Sequence, residues 1–256
     1  MKYYNNNITT RLTMIYKIIP LILLCIFSFK PLNTREIKTN QFKATDPKSI
    51  AVTSKVAFEA KSKSFYSVIE ANGFSLPTFE SFTVGFEGYE QLKQQGKIKN
   101  EILTIVDFSL PSNQERMWVI DMNSQKVILK SLVAHGRNSG LEYATNFSNQ
   151  NESFKSSLGF YLTGEVYNGK HGLSLRLDGM EFGINDNARN RAIVIHGADY
   201  VSTSFIQKTG RLGRSQGCPA VPYELHKELI QITKGKSCVF IYHPSKSYSV
   251  KSKLVS

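Results

Sequence analysis

The sequence predicts a mostly β domain, with a helical segment ahead of it and one helix near its C-terminal end. Three observations carry this. From Glu101 onward the chain is built of short apolar, β-branched runs bounded by turn residues. Residues 51–98 instead carry apolar positions at helical intervals, with Asn72-Gly73 and Gly96 as stops. After Pro222, Leu225, Leu229 and Ile232 share one helical face and Gly235 closes the run.

Taken in order, residues 1–30 read as an export signal or membrane anchor. Ile18 to Phe29 is a largely apolar run of 12 residues preceded by Lys2, Arg11 and Lys17, with no acidic residue. A span needs about 20 apolar residues, so this shorter run fits a signal-peptide core better. No small-x-small cleavage site follows, which leaves inner-membrane anchoring through residues 18–29 as the alternative. Residues 31–50 are polar and mixed and read as a linker. In the segment 51–98, a first helix begins around Val52, Val56 and Phe58, and a second, short one spans Tyr89–Gln95. Both are expected to pack as a collar on the domain that follows, residues 99–244.

Within that domain, Ile102–Phe108, Met117–Asp121 and Lys126–Leu129 form an expected β-meander, with Asn123-Ser124 at a turn. Val133-Ala134-His135-Gly136 leads into a polar loop, and His135 either lines a cleft or caps a strand end. Lys170 to Leu177 alternates as a half-exposed strand does. His171 and Arg176 lie on it, as anion-binding candidates or as ordinary solvent-facing residues. His226 falls off the apolar face of the C-terminal helix and is expected to be exposed. Residues 245–256 are polar and basic and read as a frayed tail.

The stretch Ile193 to Pro222 carries the chemistry. Ala192-Ile193-Val194-Ile195 reads as a buried strand that ends at His196-Gly197. A loop punctuated by Gly210, Gly213 and Gly217 then delivers Cys218, with Ser215 three residues before it. A free thiol titrates near ~8.5, and an imidazole or aimed N–H groups can lower that value. A histidine at a strand end and a cysteine on a glycine-rich loop could supply such a pair. The backbone N–H groups of Gly217 and Cys218 could cradle an oxyanion. For the two residues alone, a small buried cysteine and a hydrogen-bonded histidine unrelated to it in space are the simpler reading.

More than that pair is present. VAHGRNSG, SSLGFY, GKHGLSLRLDGMEFG, IHGADYVS and GRLGRSQGCPAVP occur in this order between Ile102 and Pro244. Together they resemble the blocks of the murein L,D-transpeptidases, in the divergent branch of the YkuD-type catalytic domain. Two positions depart from the common family pattern. Gln216 stands where a histidine precedes the usual Gly-Cys, and Ala220 stands where an arginine follows two residues after the cysteine.

The resemblance implies a β-sandwich-like catalytic fold and acyl transfer at an L,D peptide bond of a peptidoglycan stem. Cys218 would be the nucleophile, His196 the base, and Ser215 and Gly217 would shape the site. Arg211 and Arg214 are candidates to replace the arginine missing at Ala220. His135, His171 and Arg176 are further candidates for the substrate carboxylate. The reaction needs no metal and no cofactor. Transfer to an amine gives a cross-link; transfer to water gives an L,D-carboxypeptidase or endopeptidase. A non-catalytic wall-binding protein is a third reading. A zinc protein built on His135, His171, His196 and Cys218 is a fourth, although it lacks short paired ligand spacings.

Charge and cysteine content set the outer bounds. The net charge of +12 suits anionic partners, but no nucleic-acid motif accompanies it. Export and the family's substrate place the protein in the periplasm or cell envelope. In such an oxidising compartment Cys218 and Cys238 could pair. Cys238, however, sits in the strand-like run Ser237–Tyr242, where a buried thiol is expected.

Overall fold

In the computed structural model, residues 47–255 are described. The expected signal at 1–30 and most of the linker at 31–50 lie outside them. Helix α1 spans Pro47–Val68 and helix α2 spans Phe79–Gln94. Eight strands follow: β1 Ile102–Asp107, β2 Met117–Asp121, β3 Lys126–Ser131, β4 Gly159–Gly169, β5 Gly172–Gly179, β6 Val194–Gly197, β7 Ala220–Val221 and β8 Cys238–Tyr242. Helix α3, Thr203–Thr209, lies between β6 and β7; α4, His226–Thr233, precedes β8; and α5, Lys246–Lys251, ends the described chain. Among the described residues no helix is long and apolar enough to cross a membrane.

The strands form one sheet in the order β3-β2-β1-β8-β4-β5-β6-β7. Its two edges meet, because the segment after β3 runs on to Ala134, whose N–H donates to the carbonyl of Ala220 in β7 at 2.8 Å. Such closure removes the exposed edge that an open sheet would present. The centre is the parallel pair β1–β8, whose residues are buried on both faces. That explains their continuous apolar runs, as opposed to the alternation seen in β3.

The second helix is much longer than Tyr89–Gln95. Thr78 caps it by accepting the Ser81 N–H, so the helix starts ten residues earlier than its Leu- and Gln-rich end suggests. It lies on β1 and β8, and Phe82 and Phe86 stack against Phe58 and Phe65 of α1. Gly88 permits the close approach. A Cβ there would stand 2.1 Å from the Phe160 ring, which is itself stacked on Phe240.

Two expectations fail at the C-terminal end. The tail is ordered as α5 because Glu181, a buried carboxylate, gathers hydroxyl donors from it. Tyr248 donates to Glu181 Oε2 at 3.2 Å and Ser252 to Oε1 at 2.5 Å, alongside the Phe160 N–H at 2.8 Å. Burial pushes the Glu181 carboxyl upward, and these donors oppose that shift. His226 is buried rather than exposed. Its ring packs beneath Gly197, lies against the Tyr223 ring with the two planes tilted by 42°, and donates through Nδ1–H to the Tyr223 carbonyl at 2.5 Å.

Candidate active site

Strand register brings His196 and Cys218 together. β6 and β7 are parallel neighbours, with His196 opposite Ala220. Cys218 lies two residues before Ala220, so the crossover through α3 and the glycine-rich loop returns the cysteine to the end of the strand it left. His196 and Cys218 both line a cleft of about 640 Å³.

His196 is buried, and its Nδ1 lies 3.0 Å from the Gly197 carbonyl oxygen. A carbonyl only accepts, so Nδ1 carries the proton and Nε2 is left with a lone pair. Burial holds the imidazole below its ordinary titration range, and the charges of His171 and His226 act in the same direction. A neutral ring with a free Nε2 is the form a general base requires.

Cys218 is half-buried, and its S–H points to the Ala192 carbonyl at 3.7 Å. Burial raises the thiol, while the Val194 N–H and the Arg191 guanidinium pull it down. The resting group is therefore a protonated thiol that needs a base. Among the described residues no hydrogen bond joins the sulfur to the His196 ring. The two meet as walls of one cleft, the loose arrangement common before substrate binds.

The loop under Cys218 is tightly braced. Ser215 Oγ donates to the Cys218 carbonyl at 2.6 Å and accepts the Gly217 N–H at 3.0 Å. Ser215 thus holds the turn, and among the described residues it makes no hydrogen bond to His196. The Gly217 N–H, expected to cradle an oxyanion, is consumed by this brace, whereas the Cys218 N–H has no partner among the described residues. Gly217 sits at φ +122°, and a Cβ there would stand 2.8 Å from the Lys155 carbonyl. Ser156, from the SSLGFY block, accepts the Gly136 N–H and donates to the Gly217 carbonyl. The separate sequence blocks are therefore tied together behind the nucleophile.

The remaining candidates divide. His171 and Arg214 line the cleft. Arg214 also donates to the carbonyls of Arg137 and Gly140, which fixes the loop after His135. His135 is fully buried away from the cleft. Its Nδ1 accepts from Arg116 at 2.8 Å, and burial followed by the Arg116 charge lowers it to about 4. It stays neutral and structural. Arg176 pairs with Glu165 at 2.8 Å and lies over the Tyr167 ring, and Arg211 donates to the carbonyl of its neighbour Leu212. Neither lines the cleft. Ala220 faces a small apolar cluster with Ala134, Ala198, Val201 and Leu212, where an arginine side chain has no room.

Arg191 is the cleft residue the sequence reading missed. Its guanidinium donates to Ser148 O, Ser157 Oγ, Ser153 Oγ and Lys155 O, with no carboxylate partner among the described residues. It sits 3.1 Å from where a Gly217 Cβ would be. It therefore puts a fixed positive charge beneath the nucleophile turn. Tyr200 also lines the cleft, and burial, with Cys218 nearby, pushes its phenol up to about 12, so it remains a donor. Arg191 belongs to no motif and follows Arg189 and Asn190 just before an apolar strand, while Tyr200 lies within the IHGADYVS block, where nothing sets the tyrosine apart from its neighbours.

The two described cysteines are both free. Cys238 lies in the core, where burial raises its thiol. Among the described residues no three His, Cys, Asp or Glu side chains converge as a metal site requires.

A family model described as the L,D-transpeptidase catalytic domain matches residues 76–242. No curated protein matches the sequence. Similar solved structures include an L,D-transpeptidase from Mycobacterium smegmatis, at 11% identity and TM-score 0.35, covering 56% of this chain and 59% of that one. The helical cell shape determining protein Pgp2 of Campylobacter jejuni matches at 15% identity and TM-score 0.40, covering 63% and 57%. An L,D-transpeptidase from Stackebrandtia nassauensis matches at 10% identity and TM-score 0.35, covering 75% and 93%. The chain spans less than two thirds of the length of the first two.

Proposed function

The chain belongs to the L,D-transpeptidase catalytic-domain family, and from that premise we propose that it is a peptidoglycan L,D-transpeptidase acting through a Cys218 thioester. The observation that carries the reading is the shared cleft, in which a neutral His196 with a free Nε2 and the half-buried Cys218 thiol face the same space. His196 takes the thiol proton as sulfur attacks the carbonyl carbon between the third and fourth residues of a tetrapeptide stem. In this reading the Cys218 N–H, which has no partner among the described residues, receives the developing oxyanion. Collapse breaks the C–N bond, His196 returns the proton to the leaving D-amino acid, and a thioester remains. An acceptor amine then attacks the thioester, its proton passes to His196, and Cys218 is regenerated. Arg191 stabilises the transient thiolate, and Lys170 with Arg214 gives the cleft a cationic wall suited to a stem carboxylate.

The test is product analysis. Purified protein incubated with a tetrapeptide stem and an amine-bearing stem should release the terminal D-amino acid and form a cross-linked peptide, read by mass spectrometry. Release without the cross-link would assign the hydrolase instead, and an unchanged donor would contradict both. A wall substrate also requires export. A reporter fused after Thr39 should therefore appear outside the cytoplasm, and a reporter retained in the cytosol would contradict the periplasmic or envelope location.

A further inference from the structure

β4 and β5 pair down to Gly169 and Gly172, so Lys170 and His171 are the two residues of the hairpin turn. This tip reaches back over the cleft. The His171 ring lies on the His196 ring, with centroids 4.5 Å apart and planes 24° from parallel. His171 is exposed at the cleft mouth while His196 is buried. The base is thus held in two ways. Its Nδ1–H is tied to the Gly197 carbonyl along one edge, and one face is covered by a second imidazole.

We propose that His171 is a positioning residue for the base, a role distinct from gripping the substrate. Stacked on His196, it keeps the ring in the orientation that opens Nε2 to the cleft, and as a neutral ring it supports the imidazolium that forms there. The support is differential. A neutral ring over a neutral ring gains little, whereas a cation over an aromatic face gains more, most of all when partly desolvated. The contact therefore strengthens at the moment His196 accepts the Cys218 proton, which is the condition for lowering a barrier. Once His171 itself is protonated, the stack becomes two like charges and opposes proton uptake. The other ionisable groups around the pair are His226 of α4 beneath Gly197, Tyr223 beside Gly172, Lys170 on the same turn, and Glu152, Tyr167, Arg191, Tyr200, Arg214 and Cys218 along the walls of the cleft. This inference rests on His196 being the base.

The test uses the full chain with His171→Ala, His171→Phe and His171→Lys. Two readouts are followed against pH: the titration of the His196 ring by NMR, and the rate of Cys218 acylation by a carbapenem, read by intact mass. His171→Ala should lower the His196 titration point, since the imidazolium loses the aromatic face that supports it, and should slow acylation about tenfold. His171→Phe should keep acylation within about threefold of wild type, because an aromatic face is retained. His171→Lys should lower the His196 titration point and displace the acid limb with it. A His196 titration point that stays unchanged or rises in His171→Ala, or a wild-type rate in that variant, would overturn the proposal. If wild-type protein resists acylation while the His196 titration still moves as stated, the positioning stands and the transpeptidase reading falls.

Discussion

Cys218→Ser should reduce D-amino acid release from a tetrapeptide stem by about three orders of magnitude or more, to the background level. A serine hydroxyl is far harder to ionise than a thiol, and this site does little to help it. The charge beneath the turn is one arginine already committed to four hydrogen bonds, and the resting nucleophile donates to the Ala192 carbonyl without contacting the base. The substitution is nearly isosteric and the side chain is half-buried, so thermal stability should hold. Turnover that persists in this variant would mean that another nucleophile acts. Cys238 is excluded from that role by its burial in β8.

His196→Ala should cost about 10²–10⁴-fold in turnover, with a diagnostic change in pH dependence. In the wild type, activity should rise as His196 loses its proton. That limb should lie below the ordinary histidine value near ~6.5, because burial disfavours the charged ring. Above it, a neutral imidazole faces a protonated thiol and the rate should level off. Without the base, the attacking thiolate must form by its own ionisation, which burial holds above the ordinary cysteine range. The variant's rate should therefore lose the low-pH limb and climb steadily through the alkaline range. A variant that kept the wild-type acid limb would show that His196 is not the group titrating.

The central features of this site are legible in the sequence because they depend on local pattern. An apolar run ending in His196-Gly197 and a glycine-rich loop ending in Cys218 are separated by a length that suits a parallel crossover, and β6 and β7 realise it. The β1–β3 meander is readable for the same reason. What escapes depends on contacts made far along the chain. His135 looks like a cleft residue until Arg116, nineteen positions away in sequence, is seen to fill its Nδ1. Arg191 has no sequence signature, since its role comes from serine hydroxyls and carbonyls of the 148–157 loop. Helix α5 forms because Glu181 supplies acceptors 67 and 71 residues away. His226 is off the apolar face of α4 yet buried, because the neighbour that buries it is the Gly197 backbone. The departure at Ala220 likewise becomes intelligible only in three dimensions, as a small side chain in a tight apolar cluster.

The central claim is that Cys218 carries the acyl group, and trapping that intermediate tests it most directly. By resemblance to the family, a carbapenem is a suitable reactive donor: its strained lactam carbonyl can enter the oxyanion position, and ring opening leaves the acyl group on sulfur. Intact-protein mass spectrometry should show one added carbapenem per chain, and digestion should map it to the peptide containing Cys218. An adduct located on Cys238, or one that forms equally on the Cys218→Ser protein, would contradict the account.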